Sequence, residues 1–206
     1  LRDIQSAAEQ AAELTHQLLA YAGRGRFKVK DIDLSGLVSE VGRLVEVSLP
    51  KGVVVQNQLS DGVPPVRGDV AQLRQVVLNL IRNAGDAIAQ DGGTITVRTG
   101  QFDADANDLK NAMGAEGLEP GQYCELEVSD TGCGMDLETQ QRMFDPFFTT
   151  KEQGHGLGLA AVLGIMKGHR AAIRVNSEPG GGTTINLLFP PSEHAKHDAE
   201  EPAHTI

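Results

Sequence analysis

The chain has 206 residues, of which 40% are hydrophobic and only 4% are aromatic, so aliphatic side chains must fill its core. A net charge of −10 excludes the basic surface typical of nucleic-acid-binding proteins, and we expect no nucleic acid among its partners. Two cysteines are too few for a disulfide framework, and neither a membrane-spanning apolar run nor a signal peptide is recognisable. We therefore expect a cytoplasmic fragment of a longer protein, which could itself be membrane-anchored.

Residues 1–24 carry a helical seam. Its members recur at three- and four-residue spacing: Leu1, Ile4, Ala8, Ala11, Thr15, Leu18 and Ala22. Glycines and arginines at 23–26 then end the predicted helix. The helix could pack on its own domain. The interpretation we favour is half of a helical hairpin that forms a homodimer.

A mixed α/β pattern follows over residues 27–190. Strands are predicted at 27–32, 53–59, 94–102, 123–128, 171–176 and 183–189. Long helices are predicted at 35–47, capped by Asp33 or Ser35, and from Asp69 to about Gln90. Residues 103–121 are expected to form a polar surface insertion, and 136–168 to hold two short helices flanking a flexible loop. The polar segment 191–206 is expected to be a disordered tail or linker.

The second long helix carries the first candidate site residues. At about 100° per residue, its apolar residues share one face, whereas Asn79, Asn83 and Asp86 share another. Asn79 and Asn83 are four residues apart and can aim two amide oxygens at one point. Mg²⁺ prefers oxygen ligands and is commonly completed by substrate phosphates. The pair therefore predicts a magnesium site, although ordinary solvent-facing residues would give the same spacing.

A carboxylate and two glycine-containing segments complete the candidate site. Asp130 ends an apolar strand, where it could accept hydrogen bonds from an exocyclic amine such as that of adenine. Gly132 and Gly134 would let the backbone approach a flat base, on which Met135 could pack. Residues 154–159 place three glycines at the start of a helix, whose free amide groups bind phosphate.

The segment between these two elements has its own expected role. Phe144, Phe147 and Phe148 are expected to anchor a loop to the core, and Lys151 could reach a terminal phosphate. The glycine spacing matches neither a Walker loop nor a dinucleotide fingerprint. Both cysteines, Cys124 and Cys133, are expected to be buried and inert, although Cys133 lies beside the predicted base site.

In their order, these segments resemble the catalytic, ATP-binding domain of two-component sensor histidine kinases of the nitrogen-regulator and hybrid type. Residues 79–83 match the asparagine box, 130–135 the first glycine box, 144–148 the phenylalanine box and 154–159 the second glycine box. Gly180, Gly182 and Thr183 match a last glycine-threonine element. The resemblance implies a Bergerat fold, which is a two-layer α/β sandwich whose mixed sheet has helices on one face. Here a long N-terminal helix would precede it.

The resemblance also implies roles for individual residues. Asp130 would read adenine, Asn79 and Asn83 would hold Mg²⁺, and the second glycine box would cover the phosphates, with Lys151 counted as catalytic beside both asparagines. The implied cofactors are ATP and Mg²⁺. The implied nucleotide contacts are Asn79, Asn83, Asp86, Asp130, Gly132, Gly134, Met135, Phe144, Lys151, Gly154, His155, Gly156, Leu157, Gly158, Leu159 and Thr183.

The implied domain organisation is a second dimerisation helix at 1–26, a catalytic domain at 27–190 and a tail at 191–206. The partners would be the acceptor-histidine hairpin of the parent kinase and a response-regulator receiver domain. The hairpin helix that carries the acceptor histidine is missing, and we do not assign that role to His16. The fragment is therefore expected not to phosphorylate itself. A further departure is Asp86, which replaces a lysine found in many members and could repel phosphate.

Two other functions remain open. ATP hydrolases of the gyrase, heat-shock-chaperone and mismatch-repair type share this fold but carry a glutamate base where Asn79 stands, and an amide cannot accept a proton. Asn79 therefore favours transfer to histidine, whose imidazole has a usable lone pair near neutral pH. The other alternative is a nucleotide-binding module without chemistry.

Overall fold

The computed structural model describes residues 28–45, 49–88, 92–151 and 154–192. The predicted helix at 1–24, with its possible homodimer, lies outside the described residues, as does the predicted tail at 191–206 apart from its first two residues. The expected disorder is wrong for Ser192, which is 1% exposed, donates its backbone N–H to the Pro65 carbonyl at 2.8 Å and donates its hydroxyl to Asp31 at 2.7 Å. The described chain has no helix of the length and apolarity that a membrane span needs.

Seven strands and five helices make up the described chain. The strands are β1 (Val29–Ile32), β2 (Val53–Leu59), β3 (Val66–Asp69), β4 (Gly93–Ala104), β5 (Gly121–Asp130), β6 (Ala172–Glu178) and β7 (Gly182–Phe189). The helices are α1 (Leu34–Val45), α2 (Val70–Ala87), α3 (Ala106–Lys110), α4 (Leu137–Arg142) and α5 (Gly158–Gly168). Most were predicted to within a few residues, whereas β3 and α3 were missed.

The main sheet has five strands in the order β2-β4-β5-β7-β6. Strands β2 and β4 are parallel, and the other three pairs are antiparallel, so the predicted mixed sheet is confirmed. In the register, Asp130 at the end of β5 pairs with Thr183 on β7, and Thr183 pairs with Ser177 on β6. Three polar side chains therefore lie in one row across neighbouring strands.

Helices cover one face of this sheet. A single apolar core joins α1, α2 and α5 to the inward side chains of the central strands, including Ile95, Leu126 and Leu187, which are at most 1% exposed. The opposite face is polar: the Arg98 guanidinium donates to Gln58 at 2.6 Å and to Glu127 at 3.2 Å. This arrangement confirms the predicted two-layer α/β sandwich.

A small antiparallel ribbon of β1 and β3 precedes α2. The Asp69 carboxylate caps α2 as predicted, accepting from the backbone N–H groups of Ala71 at 2.9 Å and Gln72 at 3.3 Å. Of the two caps predicted for α1, Ser35 is wrong, since α1 begins at Leu34 and the Ser35 hydroxyl is hydrogen-bonded to the Thr99 hydroxyl at 2.7 Å.

Residues 103–121 are mostly exposed, as expected of a polar surface insertion, but they also contain structure that was not predicted. They include α3, and they bury Ala104 and Leu109 in a second apolar cluster with Tyr123, Ala172 and Leu188. Met113 also pairs with Ile173 at the edge of β6 through two backbone hydrogen bonds of 2.8 Å. The polar composition concealed a small core because only a few apolar residues build it.

Candidate nucleotide-binding site

A cleft of about 770 Å³ opens beside α2, between the loop that follows β5 and the segment that leads into α5. It brings together all but two of the residues predicted for the site, the exceptions being Gly132 and Phe144. Residues from six separate segments therefore converge on one concavity, which is the usual form of a small-molecule site.

Asp130 lies in this cleft at the end of β5 and is 8% exposed. Burial raises the pKa of its carboxyl group, and backbone N–H groups of Gly132 and Thr183 partly offset this by stabilising the anion. The Gly132 N–H donates to Asp130 Oδ1 at 2.8 Å. Gly132 thus holds the carboxylate in place, instead of lining the cleft as predicted.

The loop after Asp130 is pressed against the turn between β6 and β7. Gly134 has φ +64°, and a Cβ there would overlap the backbone carbonyl of Glu178, so glycine is required on two grounds. The Gly180 N–H donates to the Cys133 carbonyl at 2.7 Å across the same contact. The close backbone approach predicted for Gly134 is therefore made to the turn of its own chain.

The two asparagines of α2 face the start of α5. Asn79 Nδ2 donates to the Gly158 carbonyl at 3.1 Å. Because the Gly158 carbonyl can only accept, it fixes the amide nitrogen of Asn79 on its own side and leaves Asn79 Oδ1 pointing away from it. A Cβ on Gly158 would lie 3.8 Å from Asn79 Cγ and from Asn83 Nδ2. The start of α5 therefore abuts both amides, and Leu157, its N-cap residue, provides no side-chain cap for its backbone N–H groups.

Lys151 bridges two of the predicted residues of α2. Its Nζ donates to Asp86 Oδ2 at 2.8 Å and to Asn83 Oδ1 at 3.3 Å. The Lys151 and Asp86 side chains are 40% and 53% exposed. The predicted cation is therefore at the cleft, where it pairs with the carboxylate that we expected to repel phosphate.

The three phenylalanines do not act together as predicted. Phe144 is 7% exposed and belongs to the core, so it anchors the segment without lining the cleft. Phe148 lines the cleft, and the Arg142 guanidinium lies 4.4 Å above its ring. Phe147 is 68% exposed at φ +69° and anchors nothing in the core. The prediction failed for Phe147 because the residue type indicates an apolar side chain but does not determine its orientation.

One of the two cysteines also differs from expectation. Cys124 is buried as predicted, and burial raises the pKa of its thiol to about 11. Cys133, in contrast, is exposed and lines the cleft. The alternation of β5 fixes Cys124 inside, whereas Cys133 lies in the loop, where no periodicity predicts burial.

Two buried or half-buried residues next to the loop were missed by the sequence analysis. The Ser177 hydroxyl accepts from the Met135 N–H at 2.9 Å, and Gln140 Nε2 donates to the carbonyls of Met135 at 3.0 Å and Ser177 at 2.9 Å. Both residues look unremarkable in the sequence. Only the strand register could have drawn attention to Ser177, since it pairs with Thr183.

The donor set fits a magnesium-nucleotide better than a metal held by protein alone. Among the described residues, no group of three or more His, Cys, Asp or Glu side chains could hold a metal ion. The amide oxygens of Asn79 and Asn83 are neutral, hard donors, which suit Mg²⁺ when phosphates supply further oxygens. A cleft of this size with a helix start beside the two amides can accommodate such a ligand.

Comparison with known proteins agrees with the geometry. A family profile described as "Histidine kinase-, DNA gyrase B-, and HSP90-like ATPase" matches residues 68–193. Among curated relatives, the chain is 36% identical over 193 residues to "Sensor kinase CckA" of Brucella abortus, covering 92% of this chain and 20% of that protein. It is 35% identical over 179 residues to "Signal transduction histidine-protein kinase AtoS" of Escherichia coli, covering 86% and 26%. The chain thus spans about a fifth to a quarter of these relatives.

Solved structures share the fold. Full-length ShkA in complex with AMPPNP aligns with a TM-score of 0.73 at 23% identity, over 93% of this chain and 38% of that one. The catalytic domain of histidine kinase ThkA aligns with a TM-score of 0.62 at 24% identity, over 81% and 97%. The resemblance to the catalytic domain of sensor histidine kinases is confirmed, and the chain belongs to the family of histidine kinase-, DNA gyrase B- and HSP90-like ATPases.

Proposed function

We propose that this chain is the catalytic domain of a two-component sensor histidine kinase, which binds Mg-ATP and transfers the γ-phosphate to a histidine outside the described residues. The observation that carries the proposal is that the buried Asp130 carboxylate lines the same cleft as Asn79 and Asn83, with the start of α5 beside the two asparagines. An acceptor for a base and an array for phosphates are thus present in one site.

Several residues of the cleft have a defined role in this proposal. Asp130 accepts from the exocyclic amine of adenine, and Met135 packs against the base. The backbone N–H groups at the start of α5 bind phosphate oxygens, because the helix dipole and the missing side-chain cap leave them available. Lys151 contributes a positive charge near the phosphates. When bound, Mg²⁺ would neutralise charge on the transferring phosphoryl group, and Asn79 and Asn83 are the residues that would hold it.

Transfer to histidine is favoured over hydrolysis by the residue at position 79. Neither an amide nor an ammonium group at Asn79 or Lys151 can accept a proton from water at neutral pH, and a solvent-facing general base is needed for rapid hydrolysis. An imidazole acceptor carries its own lone pair. The domain's contribution is therefore positioning and charge neutralisation.

Thermal unfolding with AMPPNP and Mg²⁺ tests the nucleotide site. A ligand at about a hundred times its dissociation constant adds about 2.7 kcal/mol to the free energy of unfolding. We expect this rise in wild type and its loss in Asp130→Asn. The absence of any rise in a folded wild-type chain would contradict the proposal.

Phosphoryl transfer requires a separate experiment. The chain is mixed with a helical hairpin that carries an acceptor histidine from a sensor kinase, and γ-labelled ATP is added. Label on the hairpin supports kinase function, and label released only as phosphate identifies a hydrolase. Binding with neither product leaves the nucleotide-binding module, for which a hairpin with its histidine replaced by alanine is the matched control.

A further inference from the structure

We propose that Ser177 is a positioning residue that makes the cleft selective for adenine over guanine by fixing the direction of the Thr183 hydroxyl. The inference rests on the proposed function, since it assumes that Asp130 and Thr183 face the base. Neither Ser177 nor its contact to Thr183 was part of the predicted site. Ser177 is 9% exposed and Thr183 is 8% exposed, so water does not readily satisfy either hydroxyl.

The strand register places the three side chains in one row. Asp130 on β5 is opposite Thr183 on β7, and Thr183 is opposite Ser177 on β6. Side chains directly opposite each other in antiparallel strands point to the same face and touch. Asp130 and Thr183 line the cleft, whereas Ser177 lies one strand further from Asp130. Ser177 therefore acts on the cleft through Thr183.

The hydrogen-bond directions follow from the partners of Ser177. Its oxygen lies 2.9 Å from the Met135 nitrogen, 3.0 Å from the Gly182 carbonyl oxygen and 2.9 Å from the Thr183 hydroxyl oxygen. The Met135 N–H can only donate and the Gly182 carbonyl can only accept, so the single Ser177 proton is directed to Gly182. For the third contact to be a hydrogen bond, the Thr183 hydroxyl must donate its proton to Ser177.

This assignment makes the base end of the cleft rich in acceptors. The Thr183 oxygen can offer the cleft only lone pairs, beside the Asp130 carboxylate. Most backbone donors of the adjoining loop are also used: the Gly132 N–H by Asp130, the Cys133 N–H by the Ala87 carbonyl and the Met135 N–H by Ser177. An exocyclic amine, as in adenine, suits this edge. A carbonyl oxygen in its place, as in guanine, faces oxygens and lacks a donor.

Removing the Ser177 hydroxyl should relax this selectivity. In Ser177→Ala, the Thr183 hydroxyl can rotate and donate its proton to a guanine carbonyl. We expect the ratio of AMPPNP to GMPPNP affinity, measured with Mg²⁺ by titration calorimetry, to fall about tenfold or more. Tenfold corresponds to about 1.4 kcal/mol, which is the scale of one hydrogen bond. Ser177→Thr keeps the hydroxyl and should keep a ratio close to that of wild type.

Gln140→Ala is the matched control for a general loosening of the loop. Gln140 donates to the backbone carbonyls of Met135 and Ser177, and neither of these bonds involves the Thr183 hydroxyl. The variant should weaken both nucleotides and leave their ratio unchanged. In a Thr183→Val background, Ser177→Ala should no longer alter the ratio, because the hydroxyl through which it acts is gone.

Three results would overturn the inference: an unchanged ratio in folded Ser177→Ala, an equal change in Gln140→Ala, or a full Ser177→Ala effect in the Thr183→Val background. Should Ser177→Ala not fold, Thr183→Val alone serves as the test, since an unchanged ratio there also refutes a role for this hydroxyl. A wild-type chain that binds neither nucleotide refutes the proposed function itself. Asp130-dependent binding of AMPPNP with no Ser177 effect refutes only the present inference.

Discussion

Thiol labelling distinguishes the two cysteines and reports directly on the cleft. Cys124 is fully buried, its thiol donates to the Pro64 carbonyl at 3.1 Å, and its pKa is raised to about 11. Since the thiolate is the reactive form, about one Cys124 molecule in a thousand is ionised at pH 8. Cys133 is exposed in the cleft. We therefore expect iodoacetamide to modify Cys133 and to spare Cys124.

The magnitude follows from ionisation. A thiol with the ordinary cysteine pKa of 9.0 is about 10% ionised at pH 8, so the raised pKa alone slows Cys124 by about a hundredfold. Burial adds to this difference. Peptide mass spectrometry after timed labelling measures both rates, with Cys133→Ser as the control that should leave the chain almost unlabelled. Equal labelling of both cysteines in the folded protein would refute the described burial.

The same assay locates the base. Saturating AMPPNP with Mg²⁺ should slow Cys133 labelling at least several-fold, because the ligand covers the loop that carries the thiol. Labelling of Asp130→Asn should be unaffected by the nucleotide at the same concentration. If AMPPNP stabilised the wild-type fold without protecting Cys133, the base would lie elsewhere.

Two further predictions concern stability and pH. Asp130→Asn should slightly raise the free energy of unfolding near pH 7, because burial disfavours the charged carboxylate of the wild type and raises its folded-state pKa. As the pH falls through that pKa towards 3.8, the wild type should therefore gain stability relative to the variant. Urea titrations at several pH values measure this difference. Burial lowers the pKa of His169, whose neutral ring accepts at Nε2 from the Asp69 N–H at 3.0 Å. Its contribution to the free energy of unfolding should therefore be fully present above pH 6.5 and be lost as the pH falls through the folded-state pKa. The same titrations on His169→Gln should lack this loss, and a wild-type curve that is flat across this window would contradict the assignment.

Much of the fold could be predicted because its signals are local. The alternation at Tyr123–Val128 gives β5, the aspartate at 69 gives the start of α2, and the four-residue spacing of Asn79 and Asn83 puts both amides on one helix face. The cleft could be predicted because each of its segments carries a recognisable motif. These residues must converge wherever the family's fold is adopted.

The remainder depends on contacts between distant segments. Ribbon strand β3 is four residues long and contains a glycine, so it has little pattern of its own and exists because β1 pairs with it. The same holds for Ser177, whose role depends on the register of β6 against β7. The orientations of Phe147 and Cys133 depend on loop conformation, which composition does not encode.

The ion pair between Lys151 and Asp86 gives the last prediction. Both side chains are largely exposed, so their contact at 2.8 Å should contribute less than about 1 kcal/mol to folding. Its effect on ligands depends instead on ligand charge. Lys151→Ala should weaken AMPPNP by about tenfold and leave adenosine unchanged, because only the former carries phosphates.

Asp86→Asn separates two possible effects of the carboxylate, namely repulsion of the phosphates and, through the ion pair with Lys151, an effect on the shape of the whole cleft. If Asp86 mainly repels phosphates, the variant should bind AMPPNP several-fold more tightly, with the gain shrinking as salt rises, because screening weakens exposed charges. We expect this result, since the asparagine side chain still offers Lys151 an oxygen. Adenosine affinity is the internal control in the same titrations. Equal changes for adenosine and AMPPNP would mean that the pair shapes the whole cleft, and an unchanged AMPPNP affinity in Lys151→Ala would remove Lys151 from the phosphate site.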